Sequence, residues 1–150
     1  MPTPLRDGAP DLRYIESAAD ILAPHVETGC CVILESTTYP GTTEEVVQPI
    51  LEATGLKAGR DFFLAFSPER VDPGNPTFQT RNITKVVGGV SEPSSVVAAA
   101  LYGTVVETVH RVSSARVVSP TARIDENRYA PTPVAAYEYR RRSNERYYEA

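Results

Sequence analysis

The chain reads as an α/β protein built on a doubly wound parallel sheet with helices on both faces. Three observations carry that expectation. Short apolar runs rich in β-branched or aromatic residues recur at 31–34, 62–66, 85–87 and 105–112. Stretches with apolar residues at helical spacing lie before the first run and between others. Hydroxyls, carboxylates or glycines follow the first three runs at once. Strands alternating with helices imply βαβ units with right-handed crossovers, and hence a parallel sheet.

In chain order, a proline-bearing entry leads to Asp11, which can cap a helix from about Leu12 to Leu22. Leu12, Ile15, Ala19 and Leu22 fall on one face of it, and Pro24 stands just past its end. Cys31-Val32-Ile33-Leu34 is a continuous apolar run, which suits a central strand covered on both sides. Gly41 opens a second helix: Thr42 and Glu45 have capping-box spacing, Val46, Val47, Ile50 and Leu51 supply a buried stripe, and Gly55 is the stop. Phe62 to Phe66 is the next strand and, after a long loop rich in Pro, Gly and Asn, Lys85 to Val87 another. A third helix spans about Pro93 to Tyr102, with Ser91 or Glu92 as cap and Pro93 in the first turn, where its missing N–H costs nothing. Val105 to Val112 reads as the last strand. Beyond Ser113, Pro120, Pro131 and Pro133 interrupt any helix, and the final stretch is dominated by Tyr, Arg and Glu. The expected division is therefore a unit over 1–114 and a divergent, irregular or helical tail over 115–150.

Composition narrows the function. At 150 residues, 41% hydrophobic and 23% charged, one globular core is the default. The net charge of -4 gives no bulk attraction to polyanions, so neither nucleic acid nor an anionic membrane is an expected partner. A tail mixing Tyr137, Tyr139, Arg140, Arg141 and Arg142 could stack on nucleobases, but Glu138, Glu145 and Glu149 dilute its charge. No apolar run reaches the ~18 residues of a membrane span, and the N-terminus has no apolar signal core; a cytoplasmic protein is expected. Cys30 and Cys31 are neighbours in an extended run, where side chains point to opposite faces, so they read as small buried hydrophobes in a reduced compartment. His25 and His110 stand far apart with no ligand at suitable spacing, and no metal site is expected.

Ligands of doubly wound sheets bind beyond the carboxyl ends of the strands. Three such ends bear polar or special residues. Glu35-Ser36-Thr37-Thr38 offers a carboxylate and three hydroxyls ahead of a helix N-terminus, which attracts anions. Ser67-Pro68-Glu69-Arg70 sets a carboxylate beside a guanidinium. Gly88-Gly89 permits positive φ and close approach of a neighbouring backbone. Each alone serves equally well as a helix cap or a turn.

The wording of these segments is more specific than their spacing. Pro2-Thr3-Pro4-Leu5, Leu34 to Glu44, Ala65 to Asn75 and Lys85 to Gly89 resemble the UDP-glucose/GDP-mannose dehydrogenase family, and within it the UDP-N-acetylglucosamine and UDP-N-acetylmannosamine 6-dehydrogenases of polysaccharide synthesis. The resemblance runs from Pro2 to about Arg116 and implies a Rossmann-like sheet, NAD as cofactor and a UDP-sugar as substrate. It implies oxidation of the sugar 6-hydroxyl to a carboxylate in two hydride transfers through a cysteine-bound intermediate. Thr3, Ser36 and Thr37 then become dinucleotide contacts, with Thr37 also holding a catalytic water. Glu69 becomes the carboxylate that works with this water, and Phe66, Ser67, Glu69 and Arg70 become contacts to the sugar nucleotide. Asn127 matches a catalytic asparagine, but Arg123 stands where the family has a lysine, and a guanidinium does not replace a compact ammonium.

Two family features have no counterpart in these residues. There is no Gly-x-Gly-x-x-Gly turn for the pyrophosphate, and neither Cys30 nor Cys31 occupies a Gly-rich loop as the nucleophile would. The expectation is the second half of an NAD-binding domain, inactive alone, with an uncovered sheet edge. Family resemblance implies a homo-oligomer whose dimerising region is mostly missing here. The alternative is a non-catalytic module that binds a nucleotide sugar or NAD.

Overall fold

A computed structural model describes residues 5–6, 9–36, 38, 40–68 and 84–116. Near the start, β1 (Leu5–Arg6) and β2 (Ala9–Pro10) form a small antiparallel ribbon. Helix α1 (Arg13–Leu22) comes next and tightens into a single 3-10 turn at Ala23–His25. The main sheet contains β3 (Cys31–Glu35), β4 (Phe63–Ser67), β5 (Lys85–Gly89) and β6 (Val109–Arg111), in that spatial order. Between β3 and β4 a π-helical stretch, Thr43–Val47, runs into α2 (Gln48–Glu52), and α3 (Glu92–Tyr102) joins β5 to β6.

The α/β class holds, but the sheet is mixed. β3 with β4 and β5 with β6 are parallel, whereas β4 and β5 are antiparallel, with Ala65 opposite Gly89 and Phe66 opposite Gly88. The reason is readable in the connection. A parallel return needs a crossover, usually a helix. The sequence between Ser67 and Lys85 is rich in Pro, Gly and Asn, and carries no helical stripe.

Alternation along the strands separates two apolar clusters. Val32, Leu34, Leu64, Phe66 and Val86 pack with Ile15, Ala19, Val47 and Leu51 of the α1 and α2 side. Cys31, Ile33, Ala65 and Val87 pack with Ala98, Ala99 and Tyr102 of α3. Helices therefore cover both faces, as the continuous apolar runs require. Cys30 and Cys31 are free thiols, and their side chains enter different clusters.

Several local expectations shift. Helix α1 starts at Arg13; Asp11 accepts from the Arg13 N–H at 3.2 Å and also pairs with its guanidinium. Leu22 is 39% exposed, and Ala23 takes its place in the core, continuing the i, i+4 row of Ile15 and Ala19. No capping box forms at Thr42, whose hydroxyl pairs with that of Thr38, while the Glu45 carboxylate accepts from Arg116. The last strand is shorter than its apolar run: Val105 and Val106 donate their N–H groups to the Tyr102 carbonyl and so finish α3. Gly55 has φ +96 in the turn after α2, and Ser91 caps α3 by accepting from the Ser94 N–H, with Pro93 in the first turn.

Close approach at Gly89 docks α3 on the sheet, at a negative or extended φ and not the positive one the sequence allowed. A Cβ there would meet the Ser95 nitrogen at 2.4 Å and the Ser94 carbonyl carbon at 2.7 Å, both backbone atoms of the helix start. Gly89→Ala is therefore expected to destabilise the domain by about 1–3 kcal/mol, the usual cost of overpacking. Urea unfolding of the two proteins measures it; equal midpoints would contradict the packing.

Candidate functional site

The direction of β5 decides which residues meet at the carboxyl edge of β3 and β4. Glu35 ends β3 directly opposite Ser67, the last residue of β4. Because β5 runs the other way, its first residue, Lys85, arrives at this edge, and Gly88-Gly89 lies toward the opposite one. Gly89 is thus a helix-docking position, and the glycine pair is not the carboxyl strand end that a parallel sheet would have made it.

Lys85 donates from Nζ to Glu35 Oε1, and the Tyr102 hydroxyl donates to the same oxygen at 2.6 Å. The ammonium also lies 5.2 Å from the centre of the Tyr102 ring, within cation–π range. The Lys85 side chain is 9% exposed and that of Glu35 38% exposed, so the pair is sealed on the lysine side and open on the carboxylate side. Partial burial pushes the Glu35 carboxyl up, but the hydrogen bonds from Lys85 and Tyr102 and the lysine charge together outweigh it and hold the group below its usual range.

Hydroxyls crowd the same edge. Ser36, Thr38, Thr42 and Thr43 are all buried, and the Thr38 and Thr42 hydroxyl oxygens are 2.7 Å apart. Ser67 is 0% exposed, and its Oγ has no hydrogen-bond partner among the described residues. A buried hydroxyl without a partner carries a desolvation cost of about 1–3 kcal/mol. Phe66 is 3% exposed within the α1–α2 cluster, so its side chain is core. Thr3, Thr37, Glu69, Arg70, Arg123 and Asn127 lie outside the described residues.

On the far side of the edge, Arg116 and Glu45 form a 2.7 Å ion pair, and the hydrogen bond that Arg116 donates to Glu45 raises the guanidinium further. Gly41 sits beside them at φ +101, where a Cβ would come within 2.6 Å of Glu45 Oε1. Both cysteines stand at the opposite end of β3. Cys31 and Glu35 are separated by about 13 Å at a strand rise of ~3.3 Å per residue. Burial, with some help from Cys30, also pushes the Cys31 thiol up, away from the reactive thiolate.

Lys85 and Tyr102 are residues to which the sequence assigned no site role. A lone lysine opening an apolar strand was the available signal. Among the described residues no group of His, Cys, Asp and Glu could hold a metal ion, and no helix is long and apolar enough to cross a membrane.

A sheet covered on both faces, with hydroxyls and an ion-paired carboxylate beyond its carboxyl ends, defines an α/β domain of the nucleotide-binding class. Residues 1–106 match the model of the UDP-glucose/GDP-mannose dehydrogenase family, NAD binding domain, and the chain belongs to that family. It is 42% identical over 100 residues to a UDP-N-acetyl-D-mannosamine dehydrogenase of Pyrococcus horikoshii, covering 67% of this chain and 24% of that protein. It is 35% identical over 130 residues to a UDP-N-acetyl-D-glucosamine 6-dehydrogenase of Pseudomonas aeruginosa, covering 85% of this chain and 31% of that one. A solved UDP-D-ManNAc dehydrogenase of Pyrococcus horikoshii superposes with a TM-score of 0.71 at 38% identity, over 77% of this chain and 28% of its own. The chain thus spans between 24% and 34% of the length of these and other curated relatives.

The Glu35 environment has a definite pH signature. A carboxyl held below its ordinary value near 4.5 contributes stability that is present above that value and lost as pH falls through the lower, folded-state value. Carbon-13 NMR of the Glu35 carboxyl is expected to show a midpoint below 4.5. Glu35→Gln is expected to remove that part of the acid sensitivity. A midpoint at or above 4.5 would contradict the geometry.

Proposed function

We propose that the chain supplies the carboxyl-edge portion of the NAD-binding domain of a UDP-sugar 6-dehydrogenase, which oxidises the 6-hydroxyl of a UDP-linked N-acetylhexosamine to a carboxylate. The observation that carries this reading is the Ser67 hydroxyl, fully buried and unpartnered among the described residues, opposite Glu35 at the sheet edge of a family member. The hydroxyl set fits the sugar or amide portion of a dinucleotide. It does not fit the pyrophosphate, for which these 150 residues contain no Gly-x-Gly-x-x-Gly turn.

When bound, NAD supplies the hydride acceptor. Each residue of this chain then has a limited task. Thr3, Ser36 and Thr37 bind the dinucleotide by hydrogen bonds, and Thr37 with Glu69 holds a water. Glu69 takes the proton of that water as it attacks the acyl group, and Asn127 orients the reacting carbonyl. Ser67 and Arg70 bind the sugar nucleotide, the guanidinium matching its phosphates. The thiol that would carry the acyl group is neither Cys30 nor Cys31, since Cys31 opens β3, at the end away from Glu35.

A non-catalytic module that binds NAD or a nucleotide sugar is the second reading, favoured by that placement of both thiols and by Arg123 in the lysine position. Calorimetry with NAD and with UDP-N-acetylglucosamine tests what the readings share. Saturable binding is expected, weakened about tenfold in Thr37→Ala for NAD, the effect of losing one good hydrogen bond. Absence of binding to both ligands would overturn the proposal. NAD reduction by the chain alone would contradict the assignment of the thiol to other residues.

A further inference from the structure

Lys85 and Tyr102 received no site role from the sequence, yet they converge on a single oxygen of Glu35 from two elements that are not sheet neighbours of β3. Among the described residues β3 lies at one edge of the main sheet, so its carboxyl end is laddered only to β4. That ladder stops at the pair Glu35 and Ser67. Beyond it, Ser36 and Thr38 leave the sheet while remaining buried. Glu35 is the last residue of that ladder before this departure, and Thr38 beyond it bonds to Thr42.

We propose that Lys85 and Tyr102 are positioning residues, which fix Glu35 from across β4 and thereby hold Ser36 and Thr38 at the sheet edge. The tether is stiff for a physical reason. The lysine side chain is 9% exposed, and a nearly buried ammonium must keep a carboxylate partner. Glu35 is the carboxylate it contacts. The Tyr102 ring closes the other side, its hydroxyl on the carboxylate and its face toward the ammonium. The groups that face Glu35 are thus a cation from β5, a phenol from α3 and the neutral Ser67 from β4. This arrangement orients a segment through its neighbour, in the way supporting contacts set the precision of a binding site. Its consequence for NAD, though not the positioning itself, rests on the proposed dehydrogenase function.

Amide hydrogen exchange on the chain, read by NMR, tests the positioning without any ligand. Lys85→Met and Tyr102→Phe are each expected to accelerate exchange at Ser36 and Thr38 about tenfold, as local opening becomes easier. Val90 and Val112, whose N–H groups bond within the sheet at 2.9 and 3.0 Å, should keep their wild-type rates. Lys85→Arg, which retains the charge, should lie nearer to wild type. Unchanged exchange at Ser36 and Thr38 in both variants would overturn the proposal. So would acceleration that spreads equally to Val90 and Val112, because it would show general destabilisation only. NAD titration of the same proteins separates the two claims: a wild type that binds no NAD sinks the functional reading, while the exchange rates still decide the positioning.

Discussion

The ion pair from Lys85 to Glu35 spans β4, and it forms because β5 runs antiparallel to that strand. In a fully parallel sheet Lys85 would start at the amino edge, with the two cysteines, and Gly89 would end beside Ser67. Reversal exchanges them. A charged residue comes to the carboxyl edge, and the glycine goes to the place where α3 must approach the sheet closely. Tyr102, at the other end of α3, returns to the edge because the helix runs back along β5. One strand direction therefore sets both the chemistry of the edge and the docking of the helix.

Packing and polarity divide the remaining work. The two apolar clusters provide most of the driving force, since burial of apolar area is the dominant favourable contribution in folding. Polar contacts settle details within that frame. Where β5 hands over to α3, the Ser94 hydroxyl accepts from the Leu64 N–H and the Ser95 hydroxyl from the Gly89 N–H, so the sheet's backbone donors are satisfied under the helix. At the opposite edge the satisfaction is incomplete, and Ser67 is left with a hydroxyl that has no partner among the described residues.

Much of this was legible in the sequence, and the failures have a common cause. The continuous run Cys31 to Leu34 announces a strand covered on both faces, and Ser91 with Pro93 announces a helix start, because each signal is local. The family was legible as well, since long matching segments carry it. Strand direction is set over a longer range, and local patterns did not convey it. The capping box at Thr42 and Glu45 failed because other partners won: Thr38, four residues before, took the hydroxyl, and Arg116, 71 residues away in sequence, took the carboxylate. Leu22 missed the core because Ala23, not Leu22, continues the i, i+4 row of Ile15 and Ala19. The role of Lys85 and Tyr102 was not legible because it exists only after β5 has reversed.

That reversal and the tether it creates come together in one energetic quantity, the coupling between positions 35 and 85. A double-mutant cycle in urea, using Glu35→Gln, Lys85→Met and the two combined, measures it directly. A favourable coupling of about 1 kcal/mol is predicted, in the range for contacting residues and modest because the carboxylate is partly exposed. Additive effects, with no coupling, would contradict both the pair and the strand direction on which it depends.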